Sequence, residues 1–357
     1  MGVAGQIIAI GLAFGVTVFV HEAGHFLGAR LFAMAVYEFS IGFGRPLLFW
    51  VRRRDTQYSF RLWPFFSYVR IAGMEPGDDH PQGFDKKNRL VQALVLVLGC
   101  LMNFLLGVAI FIFIGAVIGK PIAVDNVIEK VFVGSPAAKA GLMSGDRLVG
   151  FDGRFNLPLE QVQAAIQGRA RKPITLEVAR GEKHLSLTLR PEQASVPEVV
   201  GKKLVYRPVG RIGIVFRLRM QRIGVYKSVV SGFVETYAMV KMLAIYLKAV
   251  VVGKMPLVLM GPVGVAHTLY TEARVGWLGF LSTAAALTVG IGFLNLLPIP
   301  PLDGSRLFIL AIEAIRRKPF DKRKEVIVHL VGFALLLLLV LVLTYKDVVR
   351  IVKFGGG

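Results

Sequence analysis

Four apolar runs dominate the chain, at about Ala4 to Leu27, Leu90 to Ile118, Leu278 to Leu297 and Val326 to Thr344. Each approaches the roughly 20 residues an α-helix needs to cross a hydrocarbon core. With 54% hydrophobic residues and a mean hydropathy of +0.60, the composition lies beyond that of soluble domains. The expected fold is a polytopic α-helical membrane protein with about four transmembrane helices. The first run lacks a basic n-region and a small-residue cleavage site, so it reads as a retained span and not as a signal peptide.

The first run also holds the most polar cluster of its helix, His21-Glu22-Ala23-Gly24-His25. An H-E-x-x-H pentad on a helix sets two imidazoles on one face, four residues apart, where they can hold Zn²⁺ with the glutamate beside them as general base. A catalytic zinc takes three protein ligands and leaves one position for water, so a third ligand must come from elsewhere. Asp303 is the candidate: in Asn295-Leu296-Leu297-Pro298-Ile299-Pro300-Pro301-Leu302-Asp303-Gly304, an apolar helix is interrupted by prolines and then supplies a carboxylate. Ionisable groups within spans are costly and functional by default. Asp303 would also serve as the N-cap of a helix beginning near Leu307. Asn295, shortly before the break, is a candidate hydrogen-bond donor to a substrate backbone or developing oxyanion.

Cys100 is the only cysteine, which excludes an intramolecular disulfide and a cysteine-based zinc site; the ligands are expected among His, Asp and Glu. The formal net charge of +20 does not argue for nucleic acid, because no basic stripe is interleaved with aromatics. Basic residues instead crowd two loops: Arg45, Arg52, Arg53, Arg54, Arg61, Arg70, Lys86, Lys87 and Arg89, then Arg316, Arg317, Lys318, Lys322, Arg323 and Lys324. By the positive-inside rule both loops are cytoplasmic, and the termini and the long segment after the second span lie across the membrane.

The expected organisation is a first transmembrane helix over 4–29, a membrane-associated β-region over 30–89 and a second transmembrane helix over 90–119. Within the β-region, stretches such as Gln57 to Leu62 and Ser67 to Ile71 are β-prone and broken by Gly42, Gly44, Pro46 and Pro64. Such a sheet at membrane depth belongs beside the active site, where a free edge would accept an extended substrate. An α+β domain follows over 122–200, then a connector over 201–227. Residues 228–253 carry Glu235, Lys241 and Lys248, the pattern of an amphipathic interfacial helix. A third transmembrane segment with the proline break is expected over 278–315 and a fourth transmembrane helix over 325–345. His80 reads as a loop histidine, and His184, His267 and His329 carry no assigned role.

Taken in order, these motifs resemble the site-2 proteases, in particular the bacterial branch related to the regulator of sigma-E protease. They are H-E-x-x-H in the first span, Phe39-Ser40-Ile41-Gly42-Phe43-Gly44, the Gly134-Ser135-Pro136-Ala137 and Gly145-Asp146 pattern of one PDZ-like domain, Gly261-Pro262-Val263-Gly264, and the Asn295 to Gly304 stretch. The resemblance implies a zinc-dependent intramembrane endopeptidase in the bacterial cytoplasmic membrane, with one Zn²⁺ per chain. Its substrates would be single-span membrane proteins such as anti-sigma factors, cut after a prior cleavage. His21, His25 and Asp303 would be the ligands and Glu22 the base; Asn295, Pro298, Asn103 and Tyr68 would lie near the substrate. The zinc site would sit toward the cytoplasmic side, and the PDZ-like domain, periplasmic or extracellular, would bind peptide termini or exclude bulky substrates. Two departures stand out. Pro64-Phe65-Phe66-Ser67-Tyr68-Val69 replaces the usual Pro-x-Gly-Gly-Tyr-Val, and Gly99-Cys100-Leu101-Met102-Asn103 lacks the usual proline at its second position. The competing reading is a catalytically inactive adaptor that presents the PDZ-like domain to partners.

Overall fold

The computed structural model describes residues 3–53, 55–75, 77–200, 203–318 and 320–354. The chain divides into two compact units, one formed by residues 1–115, 224–244 and 261–344, the other by 116–223, 245–260 and 345–357.

In the first unit, α1 (Val3–Leu31) leads into the long strands β1 (Val36–Arg53) and β2 (Thr56–Ile71), then α2 (Arg89–Phe113), which continues as a π-helical turn over Ile114–Ile118. The two strands are bent into four paired segments. Residues 36–43 of β1 lie between residues 56–60 and 63–71 of β2, and residues 46–53 pair outside 56–61. The last segment of β2 is therefore a sheet edge. Arg54 lies outside the described residues, as do the side chains of Arg45, Pro64, Phe65 and Phe66.

Glycines let α1 and α2 meet closely: a Cβ on Gly24 would stand 2.8 Å from the Gly99 Cα. This is the small-residue contact that membrane helices use in place of a hydrophobic driving force. Ala29, Met34, Val36, Ile71, Phe84, Val95 and Leu96 form a buried cluster that fixes the sheet to both helices.

The second unit contains β3 (Lys120–Val131), α3 (Pro136–Lys139), β4 (Arg147–Phe151), β5 (Arg154–Phe155), α4 (Leu159–Gln167), β6 (Ile174–Arg180), β7 (Lys183–Leu189), β8 (Glu192–Val200), β9 (Lys203–Arg211) and β10 (Ile214–Gln221). The sheet order is β10-β3-β4-β6-β7 with β5 on β4, and β8 and β9 form a separate pair among the described residues. Ile128, Leu148, Phe151, Val162, Ile174, Leu176 and Val178 are among its buried core. The unit is compatible with a PDZ-like region, with one correction of extent. Residues 203–221, expected within a connector, form two strands, and β10 completes the sheet against β3. Pairing between segments about 90 residues apart follows packing that local pattern does not encode.

The helices that follow are α5 (Val225–Val251), α6 (Pro262–Val275), α7 (Trp277–Asn295), α8 (Asp303–Arg316) and α9 (Lys322–Phe354). Among the described residues, α1, α2, α5, α7 and α9 are long and apolar enough to cross a membrane, five where four were expected. The addition is α5, expected as an interfacial helix. On α9, Leu335 and Leu341 are 61% and 60% exposed, an outward apolar surface that suits lipid.

Candidate active site

His21, Glu22 and His25 occupy consecutive turns of α1, and both imidazoles are buried, 7% and 6% exposed. The two rings stand edge to face with centroids 4.8 Å apart. α2 shapes the site around His25. Nδ1 of His25 is 3.0 Å from the Val95 carbonyl oxygen, and a carbonyl can only accept, so Nδ1 carries the proton. In the neutral ring, Nε2 is then a bare lone pair, and it faces His21 Nε2 and Asp303 Oδ2.

The opposite wall comes from the broken helix. α7 ends at Asn295, the chain turns through Pro298, Pro300 and Pro301, and α8 starts at Asp303. Leu302 occupies the N-cap position without a side-chain cap bond, so the Asp303 carboxylate, expected as a possible cap, serves elsewhere. Its Oδ2 lies 3.0 Å from His21 Nε2 and 3.1 Å from His25 Nε2. The two imidazole Nε2 atoms are themselves 3.2 Å apart. A carboxylate at the first turn of α8 is also favoured by the helix dipole.

This triangle is the test of whether zinc fits. The His25 lone pair and the Asp303 carboxylate are both acceptors, and two acceptors at 3.1 Å repel unless they share a cation. Donors bound at 2.0–2.2 Å to one tetrahedral centre stand roughly 3.3–3.5 Å apart, close to the triangle seen here. His2Asp is a catalytic-type donor set that leaves one position open. Cys100 Sγ lies within 4.8 Å of the His21 and Asp303 donor atoms. The cysteine that sequence reasoning set aside thus borders the site, although His25 makes the tighter triangle.

Glu22 accepts a hydrogen bond at Oε2 from the Val69 backbone N–H, 3.0 Å away, which ties the carboxylate to the edge segment of β2. Nδ2 of Asn295 is 3.3 Å from His21 Nε2. Nδ2 of Asn103 is 3.5 Å from Nδ1 of the same ring, and Asn103 is fully buried. Pro298 is exposed in the bend between α7 and α8.

Tyr68 behaves differently. Its ring lies under the Arg61 guanidinium at 5.4 Å, and its hydroxyl bonds with Glu38 and Ser40. Burial would lift the Glu38 carboxyl, but hydrogen bonds from Ser59, Arg61 and Tyr68 hold it below its ordinary value. The structure thus brings together His21, Glu22, His25, Asp303, Asn295 and Asn103, while Tyr68 joins a polar cluster on the sheet. Sequence reasoning missed the Val95 carbonyl, the Val69 amide and Gly99. Backbone groups carry no residue-type signal, although a small residue one turn from Val95 hints at close packing.

Comparison with known proteins matches residues 9–339 to the Peptidase family M50. Zinc metalloprotease RasP of Geobacillus kaustophilus is 29% identical, over 96% of this chain and 97% of that protein. A protein of Clostridium acetobutylicum, provisionally named a zinc metalloprotease, is 32% identical over 98% of each chain. A similarly named protein of Brucella melitensis is 33% identical over 93% of this chain and 92% of its own. The PDZ domain of an SdrC-like protein from Listeria innocua aligns with 28% of this chain and 99% of its own at 15% identity, with a TM-score of 0.21.

Proposed function

The chain belongs to Peptidase family M50, the site-2 proteases, and is a metalloendopeptidase; from that premise we propose that it cleaves single-span membrane proteins within the bilayer, with anti-sigma-factor-type proteins, already cut once, as its substrates. The observation that carries this reading is the mutual approach of His21 Nε2, His25 Nε2 and Asp303 Oδ2 to 3.0–3.2 Å, with the Glu22 carboxylate on the intervening turn. These three residues would hold one Zn²⁺ per chain. When bound, zinc supplies a Lewis acid for a peptide carbonyl and for the attacking water.

The chain's own groups do the rest. Glu22 takes a proton from the water and returns it to the leaving amine, so no covalent intermediate forms. The Val69 N–H steadies Oε2 of Glu22 during that exchange. Asn295 would donate to the oxyanion as the carbonyl becomes tetrahedral. A substrate unwound near the bond to be cut would lie along the free edge of β2 beside Glu22, adding a strand. The exposed Pro298 bend would form the other side of that cleft.

We also propose the sidedness. The basic loops at 30–89 and 316–324 face the cytoplasm, and the PDZ-like unit lies across the membrane, where it filters or docks substrates. Both loops share one side only if an even number of spans separates them. If α2 and α7 both cross, α5 does not. Glu235, Lys241 and Lys248 then keep α5 at the interface.

The test is zinc content by elemental analysis, with cleavage of a single-span reporter, in wild type, His21→Ala, Asp303→Ala and Glu22→Gln. About one zinc in wild type and Glu22→Gln, loss in the two ligand variants, and cleavage by wild type alone are expected. Zinc retained in Asp303→Ala would remove the third ligand and overturn the reading.

A further inference from the structure

Asn103 occupies an expensive position. Its side chain is fully buried in an apolar helix, and Oδ1 has no hydrogen-bond partner, which leaves a desolvated acceptor uncompensated. None of its side chain is open to solvent. Gly292 of α7 packs so closely that a Cβ there would stand 3.0 Å from the Asn103 Cβ, and Thr288 Oγ1 donates to its backbone carbonyl at 3.3 Å. The one site residue beside its amide is His21, whose Nδ1 is 3.5 Å from Nδ2.

We infer that Asn103 is a positioning residue for the metal site: its amide oxygen accepts the Nδ1–H of His21 and so keeps the Nε2 lone pair aimed at the metal. The argument rests on the zinc-site reading above. A His21 that ligates through Nε2 must carry its proton on Nδ1. An amide N–H₂ facing that N–H opposes donor to donor. Half a turn of the amide exchanges two groups of nearly the same shape. It places Oδ1 on the N–H and ends the opposition of donors, with the amide N–H₂ taking the place of the unpartnered oxygen. His25 already has the equivalent support, from the Val95 carbonyl at 3.0 Å. Each ligating imidazole would then have its second nitrogen fixed by an acceptor on α2, the usual means of setting tautomer and ring orientation at a metal.

The experiment is chelator competition for zinc on the full-length protein in detergent, comparing wild type, Asn103→Leu, Asn103→Asp and His21→Ala. Asn103→Leu is expected to weaken zinc binding about 10–100-fold, the usual effect of losing such a partner, while Asn103→Asp keeps the acceptor and stays near wild type. With zinc saturating, KM for the reporter should be unchanged in Asn103→Leu. Wild-type zinc affinity in Asn103→Leu would overturn the inference, as would equal weakening in Asn103→Asp or a raised KM at full zinc. Tight zinc binding by His21→Ala would instead sink the reading of the site itself. Should Asn103→Leu not accumulate as folded protein, Asn103→Ala carries the same expectation and needs no extra room.

Discussion

Gly99 of α2 lies directly against the His25 imidazole: a Cβ at position 99 would stand 2.5 Å from Cε1 and 3.0 Å from Cδ2 of that ring. The ring cannot simply swing aside, because Nδ1 is held by the Val95 carbonyl and Nε2 faces Asp303. Gly99→Ala must therefore push the ring off its position or part the two helices. We expect a loss of zinc affinity of at least tenfold and of activity by about 100-fold, the scale of a 1 Å misplacement at a reacting centre. Ala at Gly290, whose Cβ would meet nothing within 4 Å, is the control. Equal zinc binding by wild type and Gly99→Ala would show that the contact does not matter.

The amide of Val69 holds Glu22 at 3.0 Å from outside the sheet ladder. Because that N–H points away from β1, proline at 69 removes the donor without breaking a pairing bond, as edge strands tolerate. Val69→Pro should keep its zinc and lose about 10–100-fold in kcat, the value of a hydrogen bond to a charged group. Loss of zinc in this variant would mean that the strand supports the ligands and not the base.

The three residues we propose as ligands are legible in the sequence because their chemistry is carried by residue types at fixed spacing. H-E-x-x-H needs only the helical repeat, and Asp303 betrays itself as a carboxylate after a proline break. What surrounds those residues is not. Val95 contributes only a carbonyl, Val69 only an amide and Gly99 only the absence of a side chain, so none differs in type from its apolar neighbours. In the sequence Gly42, Pro46 and Pro64 divide the sheet into short stretches; in the fold they lie within two long, bent strands. β10 carries no local signal because its partner β3 is distant in sequence, whereas α5 is legible as a helix over 228–253, its apolar content and its charges pointing to different environments.

The placement of α5 can be settled by labelling. Tyr226 lies in the first turn of α5 and Lys254 just beyond its last, and both positions are exposed. Single cysteines there, in a Cys100→Ser background that still cleaves the reporter, should react with a membrane-impermeant thiol reagent from the same side of the membrane. Reaction from opposite sides would make α5 a span and separate the two basic loops, against the positive-inside bias.

In the second unit, the Asp146 side chain is fully buried and bound by Arg180 through Nε at 2.7 Å and Nη2 at 2.8 Å, with the Met143 amide at 2.9 Å. The Arg180 hydrogen bonds hold the carboxyl below its ordinary value, against the burial that would raise it. A folded value below the unfolded one stabilises the unit above about pH 4, and that stability is lost as pH falls through the folded value. Arg180→Ala leaves a buried carboxylate without its cation. Near neutral pH this should destabilise the unit, an effect that solvent screening at the partly exposed Arg180 side chain reduces. The slope should then reverse. With the carboxyl now lifted by burial, the variant gains stability as acid neutralises Asp146, where the wild type loses it. Hydrogen exchange at the β4 and β6 amides of the full-length protein, corrected for intrinsic rates, reads both slopes. Parallel slopes in the two proteins would mean that Arg180 does not control the ionisation of Asp146.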